Sequence, residues 1–129
     1  AAIALTACAP SLKGLRAEEV RQAGTKVVFG YGHAATYAAL VEACAELHYS
    51  VDSVDPQRRL ITGTSPATLL ADSEHFAIHV VPGEASTSEA YFASVVSLRS
   101  RVWGEPTSAR QALVRQAVKI LSRQRHARD

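Results

Sequence analysis

Residues 26–64 read as strand, amphipathic helix, strand, tight turn and strand, and no other stretch limits the fold so strongly. Lys26 to Gly32 carries Val27, Val28, Phe29 and Tyr31 ahead of glycines that turn the chain. From Ala34 to His48, Tyr37, Leu40, Val41, Cys44 and Leu47 recur at spacings of three and four, with Thr36, Glu42 and Glu46 outside the stripe. That period predicts a helix with one face buried. It also makes Cys44 a small core residue, since nothing beside it in sequence would lower its thiol pKa. Tyr49 to Asp55 and Arg59 to Thr64 read as strands joined by Asp55-Pro56-Gln57-Arg58. Pro56 suits the first central position of a type I turn, with Asp55 capping it.

The flanking segments extend this unit. Ala9 to Thr25 reads as a tether, in which Ala17 to Ala23 predicts two helical turns ended by Gly24. A helix that short holds only if it packs on something. Ser65, Pro66 and Thr68 mark a loop, with Leu69 and Leu70 expected to pack back on the core. His75 to Val81 alternates, with Phe76, Ile78 and Val80 on one face and His75, Ala77 and His79 on a solvent-facing one. After a loop at residues 82–86, Glu89 to Val102 predicts one long strand. In it Ala90, Phe92, Val96, Leu98 and Val102 point inward and Tyr91, Arg99 and Arg101 outward, and Trp103-Gly104-Glu105-Pro106 breaks it. Ser108 to Gln111 resembles a capping box that opens the last helix. Leu113, Val114, Ala117, Ile120 and Leu121 form its apolar stripe, and Arg110, Arg115, Lys119 and Arg123 lie outside it. Residues 26–124 thus form one α+β domain, preceded by 1–8 and the tether 9–25 and followed by a fraying tail, 125–129. Its antiparallel sheet runs in β-α-β-β-β-β-α order, with two helices packed on one face and the other face wet.

Several functions are disfavoured. At 129 residues the chain is long enough for one core and not for two. No run approaches the ~20 apolar residues of a membrane-spanning helix. Cys8 and Cys44 form no CxxC pair, and no GxSxG, HExxH, P-loop or GxGxxG occurs. Gly30-Tyr31-Gly32 lacks the third glycine of a dinucleotide-binding turn. His75 and His79, i and i+4 on a strand, would sit roughly 13 Å apart at about 3.3 Å per residue, too far to chelate one metal. With no acid/base pair or nucleophile constellation, the chain reads as non-enzymatic, with no metal and no cofactor. Charge is lopsided. Residues 99–129 hold eight Arg or Lys against two acids, leaving six bases and ten acids in residues 1–98. Such a basic closing segment suits an acidic partner or an anionic membrane surface, or else is a solvated helix face. Tyr91, Arg99, Arg101 and Trp103 together would suit stacking on single-stranded nucleic acid. Anchoring in the envelope removes that partner.

The anchoring rests on residues 1–8, AAIALTAC. Leu5-Thr6-Ala7-Cys8 resembles the lipobox of bacterial lipoproteins, a leucine and two small residues before a cysteine that ends a signal peptide. The resemblance implies cleavage before Cys8, diacylglycerol on its thiol, and an acyl chain such as palmitate on its amine. Two or three chains at ~0.8 kcal/mol per buried methylene would anchor the protein stably. Ala9 after Cys8 resembles the outer-membrane sorting preference. Two other readings of this segment stay open: an edge strand or helix start of the domain, or a disulfide from Cys8 to Cys44. Further along, ELHYSVDSVDPQRRLITG is similar to a lipoprotein signature in which a helix runs into a strand, an Asp-containing turn and a strand ending in Ile-x-Gly. Over residues 26–123 the chain resembles the helix-grip domains of the outer-membrane barrel-assembly lipoprotein C family. Its element order is also similar to that of the lipopolysaccharide-assembly lipoprotein E family. These resemblances imply a lipid-anchored, periplasm-facing accessory or scaffold subunit of an envelope complex. Arg99, Arg101, Trp103, Arg110, Arg115, Lys119 and Arg123 would then meet the partner subunits. The alternative is a helix-grip carrier that holds an apolar ligand between sheet and closing helix. That reading requires a cavity of ~300 Å³ or more between the two.

Overall fold

The structure, a computed structural model, describes residues 15–66, 74–97, 102–104 and 108–128. In chain order the elements are α1 (Ala17–Ala23), β1 (Thr25–Phe29), α2 (His33–Glu46), β2 (Ser50–Asp55), β3 (Leu60–Thr64), β4 (His75–Pro82), β5 (Ser88–Ser97), β6 (Val102–Gly104) and α3 (Ser108–Arg128). Every strand pairing is antiparallel. Five strands lie in the order β1-β5-β4-β3-β2, and short β6 also pairs with β5. β1 covers Ser88 to Phe92 of β5, and β6 covers Ser94 to Ser97. This is the α+β fold and the β-α-β-β-β-β-α order expected from the sequence, with α1 added in front and β6 inserted before the last helix.

Local chemistry ends each element. α2 closes in a Schellman motif, with Tyr49 N–H donating to Cys44 O (2.9 Å) and His48 N–H to Ala45 O (3.1 Å). His48 occupies the left-handed position (φ 60°), so the helix stops at Glu46, two residues short of the expected end. In the β2–β3 turn Asp55 Oδ1 accepts from Arg58 N–H at 3.2 Å, the expected cap. Arg59 is not the first residue of β3; it ends the turn at φ 56°. Gly63, the glycine of the Ile-x-Gly run, leaves room for a neighbouring ring. A Cβ there would lie 2.8 Å from a Phe76 ring carbon and 2.6 Å from Ser50 O.

The main core lies between one face of the sheet and the pair α2 and α3. Phe29, Ile61, Phe76, Ile78, Val80, Ala90 and Phe92 meet Leu40, Ala43 and Cys44 of α2 and Leu113, Ala117, Ile120 and Leu121 of α3. Phe76, Ile78 and Val80 are the residues that the alternation placed inward. Thr36 is a correction. It lies outside the apolar stripe in sequence but is fully buried, because its hydroxyl accepts from Ser88 Oγ (2.8 Å) and donates to Tyr31 O (3.4 Å). A buried hydroxyl is tolerated where it is bonded.

The opposite face is not wet throughout. α1 lies across it, and Leu15 and Val20 bury against Leu60, Ala77 and Ala93. Two such side chains contribute about 1.5–3 kcal/mol each on burial. That supplies the packing which a seven-residue helix needs. The tether therefore includes an element of the domain. His79, expected in solvent, is buried beneath α1, and His75 is half-buried with Nδ1 3.0 Å from Thr64 Oγ1. The long strand expected over 89–102 is also corrected. β5 ends at Ser97, and Trp103-Gly104 forms a strand on its edge where a break was expected. The last helix runs on to Arg128, so residues 125–128 are its final turn and no separate tail. Leu69, Leu70, Leu98 and the residue before Ser108 lie outside the described residues.

Candidate functional site

α3 spans 21 residues and carries six Arg or Lys and no acid. Its buried residues, Ala109, Leu113, Ala117, Ile120 and Leu121, recur at helical spacing and seat it on the core. Along the opposite side Gln111, Arg115, Val118, Lys119 and Arg125 are exposed, Val118 at 44%. Val118 therefore sits as a lone apolar patch within a cationic stripe. Arg115, Lys119 and Arg125 have no ion pair among the described residues.

The other two cations assigned to this surface behave differently. Arg123 reaches sideways to Glu46 of α2, with Nη2 3.3 Å from Oε1, and Gln116 Nε2 donates to the same oxygen at 3.3 Å. That exposed pair marks the rim of the α2–α3 contact and contributes at most about 1 kcal/mol. Arg110 is half-buried, and its Nε finds no partner among the described residues. The structure thus joins Arg115, Lys119 and Arg123 on one helix but leaves only the first two open to a partner. Arg125 belongs with them, though the sequence reading placed it in a tail. The backbone of Trp103 lies in β6 at the sheet edge, on an element apart from α3. Arg99, Arg101 and Cys8 lie outside the described residues.

Cys44 is fully buried and unpaired. Burial pushes its thiol up to about 11, so it stays protonated at neutral pH and has little nucleophilic character. Tyr37, also buried, donates its hydroxyl to Leu60 O at 3.1 Å, and burial first, then the charge of Asp55, raises its pKa. Both residues serve packing. Among the described residues no three of His, Cys, Asp and Glu converge to hold a metal ion. Nor is any described helix long and apolar enough to cross a membrane.

Between the sheet and α3 the side chains of both form one buried cluster with α2. A cleft of about 320 Å³ does exist, but at one end of the helix layer. It is lined by Gly30, Tyr31, Gly32, Leu121, Gln124 and Arg125 among others, and it opens to solvent. Its lining is mixed polar and apolar, unlike an enclosed apolar cavity. Compared with known proteins, the chain matches no family model and no curated protein.

Proposed function

We propose that this chain is a non-enzymatic, lipid-anchored protein of the bacterial envelope. It acts as an accessory or scaffold subunit of an outer-membrane or periplasmic complex and faces the periplasm. Cys8 carries the lipid, and the exposed stripe of α3 meets the partner. The observation that carries the partner role is this stripe: Arg115, Lys119 and Arg125 pair with no acid among the described residues, on a helix whose other side is anchored in the core. Charges placed on a rigid element steer and orient a partner of opposite sign more than they add raw affinity. The Leu5-Thr6-Ala7-Cys8 run supports the anchor.

Affinity purification from native membranes through a C-terminal tag tests the reading. The expected result is a co-purifying envelope partner that is lost in Arg115→Glu/Lys119→Glu while the far-ultraviolet circular dichroism stays unchanged. An N-terminal peptide beginning at an acylated Cys8 is expected by intact mass. A chain that comes off the membrane alone, with an unmodified Cys8, overturns the proposal.

A further inference from the structure

His79 is a buried imidazole in a setting that on balance favours its neutral form. It sits on the outer face of β4, 5% exposed, and its Nδ1 has no hydrogen-bond partner among the described residues. The surrounding charge is cationic from two directions. α1 contributes Arg21 and the β2–β3 turn contributes Arg59, while Arg58 in that turn is paired with Asp55 at 3.7 Å and offers the ring only its backbone carbonyl. Arg59 is held in place by Nε donating to Val80 O at 3.0 Å and by its own carbonyl accepting from Val80 N–H at 3.1 Å. From β3 the register neighbour is apolar Leu60. From β5 it is Tyr91, whose hydroxyl donates to Glu89 Oε1 at 3.3 Å. On α1, Glu18 lines a shallow groove with Arg16, Arg21 and Arg58, the last of which is paired with Asp55.

α1 itself is lightly held. It has seven residues and one fully buried side chain, Val20, with Leu15 just ahead of it. Its N-terminal turn is tied by Arg16 N–H donating to Glu19 Oε1 at 3.2 Å. Elements with few buried contacts open at the low end of a protein's local stability range.

We propose that His79 makes α1 an acid-released clasp: when the imidazole takes up a second ring proton, α1 lifts off the outer face of the sheet. The proton would add a cation beside Arg21 and Arg59 and bury an Nδ1–H with no acceptor among the described residues. Lifting α1 hydrates the ring and removes Arg21, and it uncovers Leu60, Ala77, Ala93 and Tyr91. The sign follows from linkage. Burial is the largest cause and holds the imidazole below its ordinary 6.5; the Arg59 carbonyl pulls the other way, and the charges of Arg21 and Arg59 then reinforce the lowering. The docked state is therefore favoured above about 6.5 and weakens as pH falls below it, by up to tenfold per pH unit, until the docked imidazole itself titrates.

Amide hydrogen exchange on the full chain at pH 7.5 and 5.0, corrected for intrinsic rates, tests this. In wild type the amides of 17–24 are expected to lose several-fold protection at pH 5.0 while those of 76–80 keep theirs. His79→Phe is expected to abolish the acid response. Arg21→Gln, at an exposed position and so safe for folding, is expected to shift it to lower pH. Equal protection of α1 at both pH values overturns the clasp. So does an acid response that survives in His79→Phe, or loss of protection that spreads through β4 together with α1.

Discussion

At the scale of single residues, the informative positions are those where chemistry and backbone disagree with first appearance. His48 holds a left-handed conformation that a β-carbon disfavours by ~1–2 kcal/mol per residue. His48→Gly is expected to stabilise the protein by about 1 kcal/mol, read as a higher denaturant midpoint with an unchanged slope. Thr36 and Ser88 form a buried hydroxyl pair between α2 and β5. Thr36→Val leaves Ser88 Oγ and Tyr31 O short of a partner and is expected to cost about 1–3 kcal/mol. Adding Ser88→Ala should recover part of that loss, because one stranded hydroxyl is then gone; a double-mutant cycle by denaturant melts reads the coupling. Neither residue belongs to an apolar stripe, which is why periodicity alone passes over them.

At the scale of elements, α1 and α3 are each decided by what they lie against. Gly24 ends α1 where the chain passes close over β5. A Cβ there would sit 2.6 Å from Val20 O and 3.1 Å from Phe92 O, both backbone atoms that cannot swing aside. Gly24→Ala is expected to destabilise by about 1–3 kcal/mol and to raise exchange of the α1 amides ahead of those in β4. For α3 the two sides should respond in opposite ways. Leu113→Ala, on the fully buried stripe, is expected to cost about 2–5 kcal/mol. Lys119→Ala, on the exposed stripe, should change stability by no more than about 0.5 kcal/mol, whatever it does to partner recovery. Thermal melts of the two variants side by side separate the scaffold role of one side from the contact role of the other.

At the scale of the whole molecule, Cys44 reports on the integrity of the single main core. Its thiol is enclosed between α2, α3 and the sheet and is pushed up to about 11. In a Cys8→Ser chain, thiol labelling at neutral pH is expected to track global unfolding, with a midpoint coincident with that of circular dichroism. Labelling well before the midpoint would reveal separate opening of the helix layer.

The sequence by itself determined the class of fold, the order of its main elements and the face each one buries. These follow from local periods and turn chemistry. The apolar spacing of three and four in α2, the alternation through Phe76, Ile78 and Val80, and the Asp55-Pro56 turn each act within about a dozen residues of chain. The sequence also determined that α3 is cationic, since that is a count. Only the tertiary structure decided what covers the second face of the sheet. Alternation assigns His79 to the side away from the main core, but it cannot say that α1, more than fifty residues earlier, lies over that side. The same limit explains β6. A strand that ends at Ser97 and pairs with its own continuation looks, in one dimension, like one long strand. It also explains why Arg123 is drawn to Glu46 while Arg115 and Lys119 stay open. Partners far apart in the chain are chosen by packing, and that choice separates a solvated charge from an available one.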